Sequence, residues 1–111
     1  MTGANDVMTR AAWTILTMAA MALLVFLRGE AVLTDPDTQW HIATGRLIME
    51  TGALPLVDTM SHTHAGQPWI AKEWLSQLLL YAAYALGGWT AVTAQTALCV
   101  AAAAGIVAWR L

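Results

Sequence analysis

The stretch that most constrains this chain is a long segment without charged side chains. Residues 74–109 contain no Asp, Glu, Lys or Arg, and the segment is 36 residues long. One membrane crossing takes about 20 residues, so the segment is too long for a single span. The neighbouring glycines Gly87 and Gly88 interrupt it, and glycine pairs end helices. We therefore predict two helices here, over residues 74–86 and 89–111.

Residues 74–86 are predicted to lie along a membrane surface. The segment is too short to cross a bilayer. It holds Trp74, Tyr81 and Tyr84, and amphipathic rings of this kind are enriched at the level of the lipid headgroups. We expect an interfacial helix at this point of the chain.

Residues 89–111 are predicted to form the second of two transmembrane helices. Trp89 and Trp109 flank its apolar part, as in many membrane-crossing helices. Ala101 and Gly105 stand four residues apart, and small residues at this spacing let helices approach closely. The alternative is that these small residues simply tolerate contact with lipid.

Residues 11–33 are predicted to form the first transmembrane helix. Residues 11–27 form a run of 17 residues without a charge, between Arg10 and Arg28. At 1.5 Å per residue the run spans about 25 Å, and one more turn brings it near the bilayer core of about 30 Å. A cleaved signal peptide is the alternative, because residues 20–22 have a small-x-small pattern. That cut would fall inside the apolar run, so an uncleaved anchor is favoured.

The charges of the chain are concentrated between the two predicted spans. Only 11% of the 111 residues are charged, against about 25% in soluble domains. Nine of the twelve charged residues lie from Arg28 to Glu73. The positive-inside rule places residues 1–10 in the cytoplasm and the loop of residues 34–73 outside. The net charge of −2 gives no basic field for nucleic acid.

The predicted fold class is therefore an all-α membrane protein. Two transmembrane helices are joined by an outer loop that carries two juxtamembrane helices. The first of these is expected over residues 36–51, because Asp35 and Pro36 suit the N-cap and first helical position and Gly52 suits the C-terminal stop. One predicted apolar stripe of this helix consists of Trp40, Ala43, Leu47 and Ile48.

Another face of the same helix carries candidate functional residues. Asp37, His41 and Gly45 are spaced by four and share this face. We expect a carboxylate beside an imidazole, with open space next to the glycine. Asp35 and Asp37 either cap the helix and match its dipole, or one of them serves as a general base or metal ligand. His41 is either an interfacial side chain or a metal or substrate contact.

Residues 53–71 lack a helical pattern and are expected to be irregular or extended. They contain Asp58, His62 and His64. In an extended strand His-x-His places both rings on one face, as metal sites often need. Carboxylates suit Mg²⁺ or Mn²⁺ and imidazoles suit Zn²⁺. A divalent metal site is one interpretation, although most pairs of histidines at this spacing are not ligands.

Lys72 is the only lysine of the chain, and Glu73 follows it. A lysine at this position can bind a lipid phosphate as a point charge. It can equally be an anchor that extends to the headgroups, or a partner of an acid. Glu73 is a further candidate contact for a metal or substrate.

The order of these elements resembles the N-terminal unit of the GT-C superfamily of polytopic glycosyltransferases. The nearest in layout are the protein mannosyltransferases and the aminoarabinose–lipid A transferases. The resemblance implies that Asp35 and Asp37 supply a catalytic base or a metal-site carboxylate. It also implies that Lys72 contacts the phosphate of a polyprenyl-phosphate-linked sugar donor. The run from Asp35 to Gly45, then Gly66-x-Pro68-Trp69 and Glu73-Trp74-Leu75, is similar to large bacterial membrane proteins grouped with these enzymes.

The chain also departs from the family pattern. Glu73 stands after Lys72 where proline is common, and Ala71 stands before it where an acid is common. Family members have many more spans. The resemblance therefore predicts an N-terminal fragment of a bacterial inner-membrane transferase, inactive alone, with membrane lipid, the lipid-linked sugar and further transmembrane helices as partners. The alternatives are a small non-enzymatic two-span subunit or scaffold, and a loop that binds a divalent metal.

Overall fold

The structure is a computed structural model that describes residues 2–111. Within these residues the chain is helical and forms no strand, which confirms the all-α prediction. Met1, which belongs to the predicted N-terminal segment of residues 1–10, lies outside the described residues. The helices are α1 (Thr2–Leu27), α2 (Gly29–Val32), α3 (Pro36–Thr51) and α4 (Trp74–Arg110).

The helix α4 is two helices joined at a kink. Gly87 has φ −156° and ψ 23°, and Gly88 has φ 61° and ψ −150°. The backbone of Gly88 lies in a region that side chains with a Cβ avoid, which explains why glycine occupies the kink. The predicted break is therefore confirmed, and the two parts of α4 cover residues 74–86 and 89–110.

Two helices are long and apolar enough to cross a membrane, namely Gly3–Leu27 within α1 and Trp74–Arg110. The first begins earlier than the predicted span, because residues 2–10 continue the same helix. It also ends earlier than residue 33. Arg28 has φ −99° and ψ 17°, which separates α1 from the four-residue α2.

One compact unit of the chain consists of Met1–Thr34 together with Trp89–Leu111. Within it, α1 packs against the second part of α4. Gly105 is buried, and a Cβ built there would lie 2.6 Å from Sδ of Met18. Ala101 on the same face is also buried. The predicted close approach at the small residues is confirmed.

The other compact unit is Asp35–Gly88, and α3 is its first helix. Both predicted ends of α3 are confirmed. The carboxylate of Asp35 accepts a hydrogen bond from the backbone N–H of Asp37 at 3.0 Å. At the other end Gly52 adopts φ 67°, and its N–H donates to the carbonyl of Ile48 at 2.8 Å.

The buried face of α3 differs from the predicted stripe. Ile48 is buried, but the other three stripe residues are only half-buried. The buried residues of α3 are Ile42, Thr44, Gly45 and Ile48. The expected open space beside Gly45 is wrong, because a Cβ there would clash with the backbone carbonyl of Gln77. Among the glycines of this unit, Gly45 has the closest contact with residues 74–86.

The segment between α3 and α4 folds back on itself as an irregular hairpin. Val57 and Pro68 form an isolated antiparallel bridge. The N–H of Asp58 donates to the carbonyl of Gln67 at 2.9 Å, and the N–H of Trp69 donates to Leu56 at 2.9 Å. The expectation of an irregular or extended segment is confirmed, and the hairpin brings Trp69 back towards α3.

Candidate functional site

A groove of about 710 Å³ lies within the unit of residues 35–88. We call it the tryptophan groove. Three parts of the chain form its wall: α3, the end of the hairpin segment, and the beginning of α4. The lining residues are Trp40, His41, Leu56, Pro68, Trp69, Ile70, Lys72, Glu73 and Gln77.

Two indole rings form the aromatic part of the groove. The ring centroids of Trp40 and Trp69 are 6.2 Å apart, and the ring planes make an angle of 77°. This is the edge-to-face arrangement that aromatic pairs prefer. The pair connects α3 to the hairpin segment, and it gives the groove a rigid apolar wall beside its polar residues.

His41 connects α3 to the beginning of α4. Its Nδ1 atom lies 3.2 Å from the amide nitrogen of Gln77. Its Nε2 atom lies 3.8 Å from a carboxylate oxygen of Glu73, which is longer than a hydrogen bond. The side chain of His41 is partly accessible, with 29% exposed, and that of Glu73 is 66% exposed. The imidazole is therefore held on one side and faces a movable acid on the other.

Gln77 is the most enclosed polar side chain of the groove. Only 2% of the residue is exposed. Its Nε2 atom is bonded to His41, whereas its Oε1 atom is buried and accepts no hydrogen bond from a described group. An unsatisfied buried acceptor costs about 1–3 kcal/mol.

The structure brings together three of the predicted site residues, His41, Lys72 and Glu73, on one groove. Lys72 is exposed and stands just before α4. The first turn of a helix has unpaired N–H groups and a positive dipole end, which favour an anion. Lys72 and the helix beginning at Trp74 thus both favour an anion at this end of the groove, and the carboxylate of Glu73, which stands between them in sequence, opposes it.

Asp35 and Asp37 are exposed and are not among the lining residues of the tryptophan groove. The carboxylate of Asp35 caps α3, as the structural interpretation expected. The acid that pairs with His41 is Glu73. This neighbour of the imidazole comes from the residue just before α4 and was not predicted, and the expected juxtaposition of Asp37 and His41 remains a prediction. The catalytic role of the two aspartates remains a prediction.

Asp58 stabilises the turn of the hairpin segment. Its carboxylate accepts hydrogen bonds from the N–H groups of Met60 at 2.9 Å and Ser61 at 2.8 Å. Hydrogen bonding by the Ser61 side chain, and then by these two N–H groups, lowers the pKa of Asp58. The carboxylate is therefore engaged in local backbone structure.

The two loop histidines lie in this turn rather than in an extended strand. The backbone N–H of His64 donates to Oγ of Ser61 at 3.1 Å, and its Nδ1 is hydrogen-bonded to Oγ1 of Thr63 at 2.9 Å. His62 is exposed. Among the side chains that the structure describes, no three or more of His, Cys, Asp or Glu are grouped so that they could hold a metal ion. The divalent metal site remains a prediction.

Sequence reasoning missed Gln77 and the site role of the two tryptophans. The sequence predicts Trp40 only as part of an apolar stripe of α3. It names Trp69 only within the Gly66-x-Pro68-Trp69 motif, which does not predict where the side chain lies. A signal for Gln77 exists, since it is a lone amide in an otherwise apolar helical segment. Its pairing with His41, 36 residues away, requires the fold.

Comparisons of the chain with protein families, curated proteins and solved structures found no match.

Proposed function

We propose that this chain is an integral membrane protein whose tryptophan groove binds a polyprenyl-phosphate-linked sugar. In this proposal the chain supplies the donor-binding part of a GT-C-type glycosyltransferase that acts outside the cytoplasmic membrane. The observation that carries it is the position of Lys72 on a groove that also presents two indole rings and His41. A cation, aromatic surfaces and hydrogen-bonding groups are the chemistry that a phosphate-linked sugar needs.

The membrane part of the proposal is supported by the exposed surface of the two long helices. Large apolar side chains cover the outside of α1 and of the second part of α4. Examples with more than half of the residue exposed are Trp13, Leu16, Leu27, Leu98, Ile106 and Val107. A contiguous apolar surface of this kind is stable in lipid and is unfavourable in water.

The groove supports the ligand class through three kinds of contact. The ammonium of Lys72 attracts a phosphate as a point charge. The N-terminal end of the helix beginning at Trp74 adds favourable potential for the same anion. The indole rings of Trp40 and Trp69 offer apolar faces against which the C–H face of a sugar ring packs, as aromatic-lined pockets do.

The proposed reaction is a displacement at the anomeric carbon of the donor sugar. A carboxylate, Asp35 or Asp37, takes the proton of the acceptor hydroxyl, and the hydroxyl oxygen bonds to the anomeric carbon. The bond from that carbon to the phosphate oxygen breaks, and the polyprenyl phosphate leaves with the electron pair. Lys72 stabilises the negative charge of the leaving phosphate, which is the kind of contribution that is usually largest. The aspartate role comes from the family resemblance.

The test is a binding measurement on the full chain in nanodiscs of neutral lipid. The probe is a short-chain polyprenyl monophosphate, titrated against wild-type chain, Lys72→Met and Lys72→Arg. We expect Lys72→Met to weaken binding about tenfold or more, the size of a hydrogen bond to a charged group. Lys72→Arg keeps the charge and retains most of the affinity.

The matched control is Arg46→Met, which removes an exposed cation of the same unit that pairs with Glu50 outside the tryptophan groove. It is expected to bind like the wild type. Unchanged binding by Lys72→Met, or an equal loss in Arg46→Met, would contradict a phosphate site at Lys72.

A non-enzymatic membrane subunit is the second candidate function. The observation in its favour is the close packing of Gly105 on Met18, a contact between two helices of this chain of the kind by which membrane helices associate. In that case the chain binds no polyprenyl phosphate, and Lys72→Met has no effect on its association with other membrane proteins.

A further inference from the structure

We propose that His41 is a second phosphate-binding residue of the tryptophan groove and that Gln77 positions it by fixing its tautomer. The proposal rests on the proposed function, because it assigns a further contact to the phosphate that Lys72 binds. It adds a neutral hydrogen-bond donor to the site, and it gives a role to the most deeply buried amide of this unit.

The tautomer follows from the contact between Gln77 and His41. The amide nitrogen of Gln77 lies 3.2 Å from Nδ1 of His41. An amide nitrogen donates and cannot accept, so Nδ1 accepts and carries no proton. The proton of the neutral imidazole is then on Nε2, since the hydrogen bond at one ring nitrogen sets the state of the other.

The Nε2–H group is available to a ligand. Its distance of 3.8 Å from the Glu73 carboxylate exceeds a hydrogen bond. The side chain of His41 is 29% exposed and lines the same groove as Lys72. A phosphate in this groove therefore has both an ammonium and a directed N–H donor among the groups that line its site.

Glu73 lies near this donor, with its carboxylate 3.8 Å from Nε2 of His41. Its side chain is 66% exposed at the edge of the groove, so it can turn into solvent. The charged lining residues of the groove are Lys72 and Glu73, at the end of the hairpin segment, and the other lining residues of that segment are uncharged. Removing the Glu73 charge should favour the anion.

The burial of Gln77 makes it a positioning residue. Only 2% of it is exposed, and its Oε1 atom lacks a hydrogen-bond partner among the described groups. Rotating the amide by half a turn would present Oε1 to His41 and would require a proton on Nδ1. The orientation of one amide thus decides which nitrogen of His41 faces the ligand as a donor.

The first measurement determines the tautomer directly. The full chain, labelled with ¹⁵N-histidine in nanodiscs of neutral lipid, is examined by long-range ¹H–¹⁵N NMR at pH 8, where an ordinary imidazole is neutral. We expect His41, assigned by comparison with His41→Gln, to carry its proton on Nε2. In Gln77→Glu the new carboxylate accepts only, so the proton should move to Nδ1 or the ring should become doubly protonated. A wild-type ring protonated at Nδ1 would overturn the proposal whatever the binding results.

The second measurement tests the phosphate contact. Short-chain polyprenyl monophosphate and inorganic phosphate are titrated separately, so that a lipid headgroup site is distinguished from a site for free phosphate. His41→Leu should weaken binding of the lipid probe about tenfold, and His41→Gln, which keeps an N–H donor, should recover most of it. Glu73→Gln should strengthen binding. Near-ultraviolet circular dichroism of the Trp40–Trp69 pair checks that each variant is folded.

The outcomes separate this proposal from the proposed function. If the wild type binds neither probe, both fail. If Lys72→Met loses binding while folded His41→Leu and His41→Gln both bind like the wild type, only the role of His41 fails. If inorganic phosphate binds as tightly as the lipid probe, His41 keeps its role, and the polyprenyl specificity of the proposed function is contradicted.

Discussion

The crossing of α3 over residues 74–86 determines the shape of the tryptophan groove, and Gly45 is the residue that permits it. A Cβ at this position would meet the backbone carbonyl oxygen of Gln77. It would also lie 2.6 Å from the carbonyl carbon of Gln77 and 2.8 Å from Cβ of Tyr81. Carbon atoms normally pack at about 3.5–4.0 Å. Gly45→Ala therefore forces the two helices apart by roughly 1 Å.

The magnitude follows from two opposing effects. Alanine improves the helix propensity of α3 by about 1 kcal/mol relative to glycine. Overpacking costs typically about 1–3 kcal/mol, and this contact belongs at the upper end because the neighbour is backbone and cannot rotate away. We expect the free energy of unfolding of this unit to fall by about 2 kcal/mol. For a small domain this lowers the melting temperature by about 8–16 °C.

The assay is thermal unfolding of the full chain in detergent, followed by near-ultraviolet circular dichroism, to which the Trp40–Trp69 pair contributes together with the other four tryptophans. Amide hydrogen exchange in α3 reports the same unit independently. The control is Gly3→Ala, since a Cβ at Gly3 meets nothing within 4 Å; it should leave the unfolding of this unit unchanged. A Gly45→Ala chain as stable as the wild type, or more stable, would refute the crossing geometry.

Three further predictions concern other parts of the chain. Gly105→Leu should separate α1 from the second part of α4, because a side chain at this position meets Met18. Ala103→Leu, at an exposed position of the same helix, should leave the two helices in place. Distance measurements between spin labels on the two helices check both expectations. Asp35→Ala should destabilise α3 by about 1 kcal/mol and Asp35→Asn should not, as measured by denaturant unfolding, because only alanine removes the N-cap. The lowered pKa of Asp58 means that its carboxylate stabilises the turn above the unfolded value of about 3.9, and that this stabilisation is lost as the pH falls through the lower folded pKa. Hydrogen exchange of the Ser61 amide, measured against pH, should therefore show protection that persists at pH 4 and disappears in stronger acid. In Asp58→Ala the protection of this amide should be weak at every pH.

The parts of the fold that were predictable are those determined by local signals. The ends of α3 follow from Asp35, Pro36 and Gly52, because an N-cap, a first-position proline and a left-handed glycine act on their own helix. The kink after residue 86 follows from two glycines in an apolar run. Each signal lies within a few residues of its effect, so no tertiary information is needed.

The site was only partly predictable, because its contacts join residues that are distant in sequence. His41 was a candidate, but Gln77 belongs to a different helix and Glu73 to the residue just before that helix. Helical spacing alone favoured Asp37 as the neighbour of the imidazole and open space at Gly45. The packing of α3 on residues 74–86 fills the space at Gly45 and adds Gln77 as a neighbour of the imidazole. A periodic pattern identifies a face of a helix but does not identify what covers it.

The most direct test of the proposed function is photo-crosslinking with a diazirine-bearing polyprenyl phosphate, in which the reactive group is adjacent to the phosphate. The full chain in nanodiscs is irradiated and the modified peptide is located by mass spectrometry. We predict labelling in the peptides that contain Trp40, His41 and residues 69–73, reduced in Lys72→Met. Labelling confined to residues 11–27 or 89–110, unchanged by Lys72→Met, would show that the lipid merely surrounds the apolar helices and would contradict a phosphate site in the tryptophan groove.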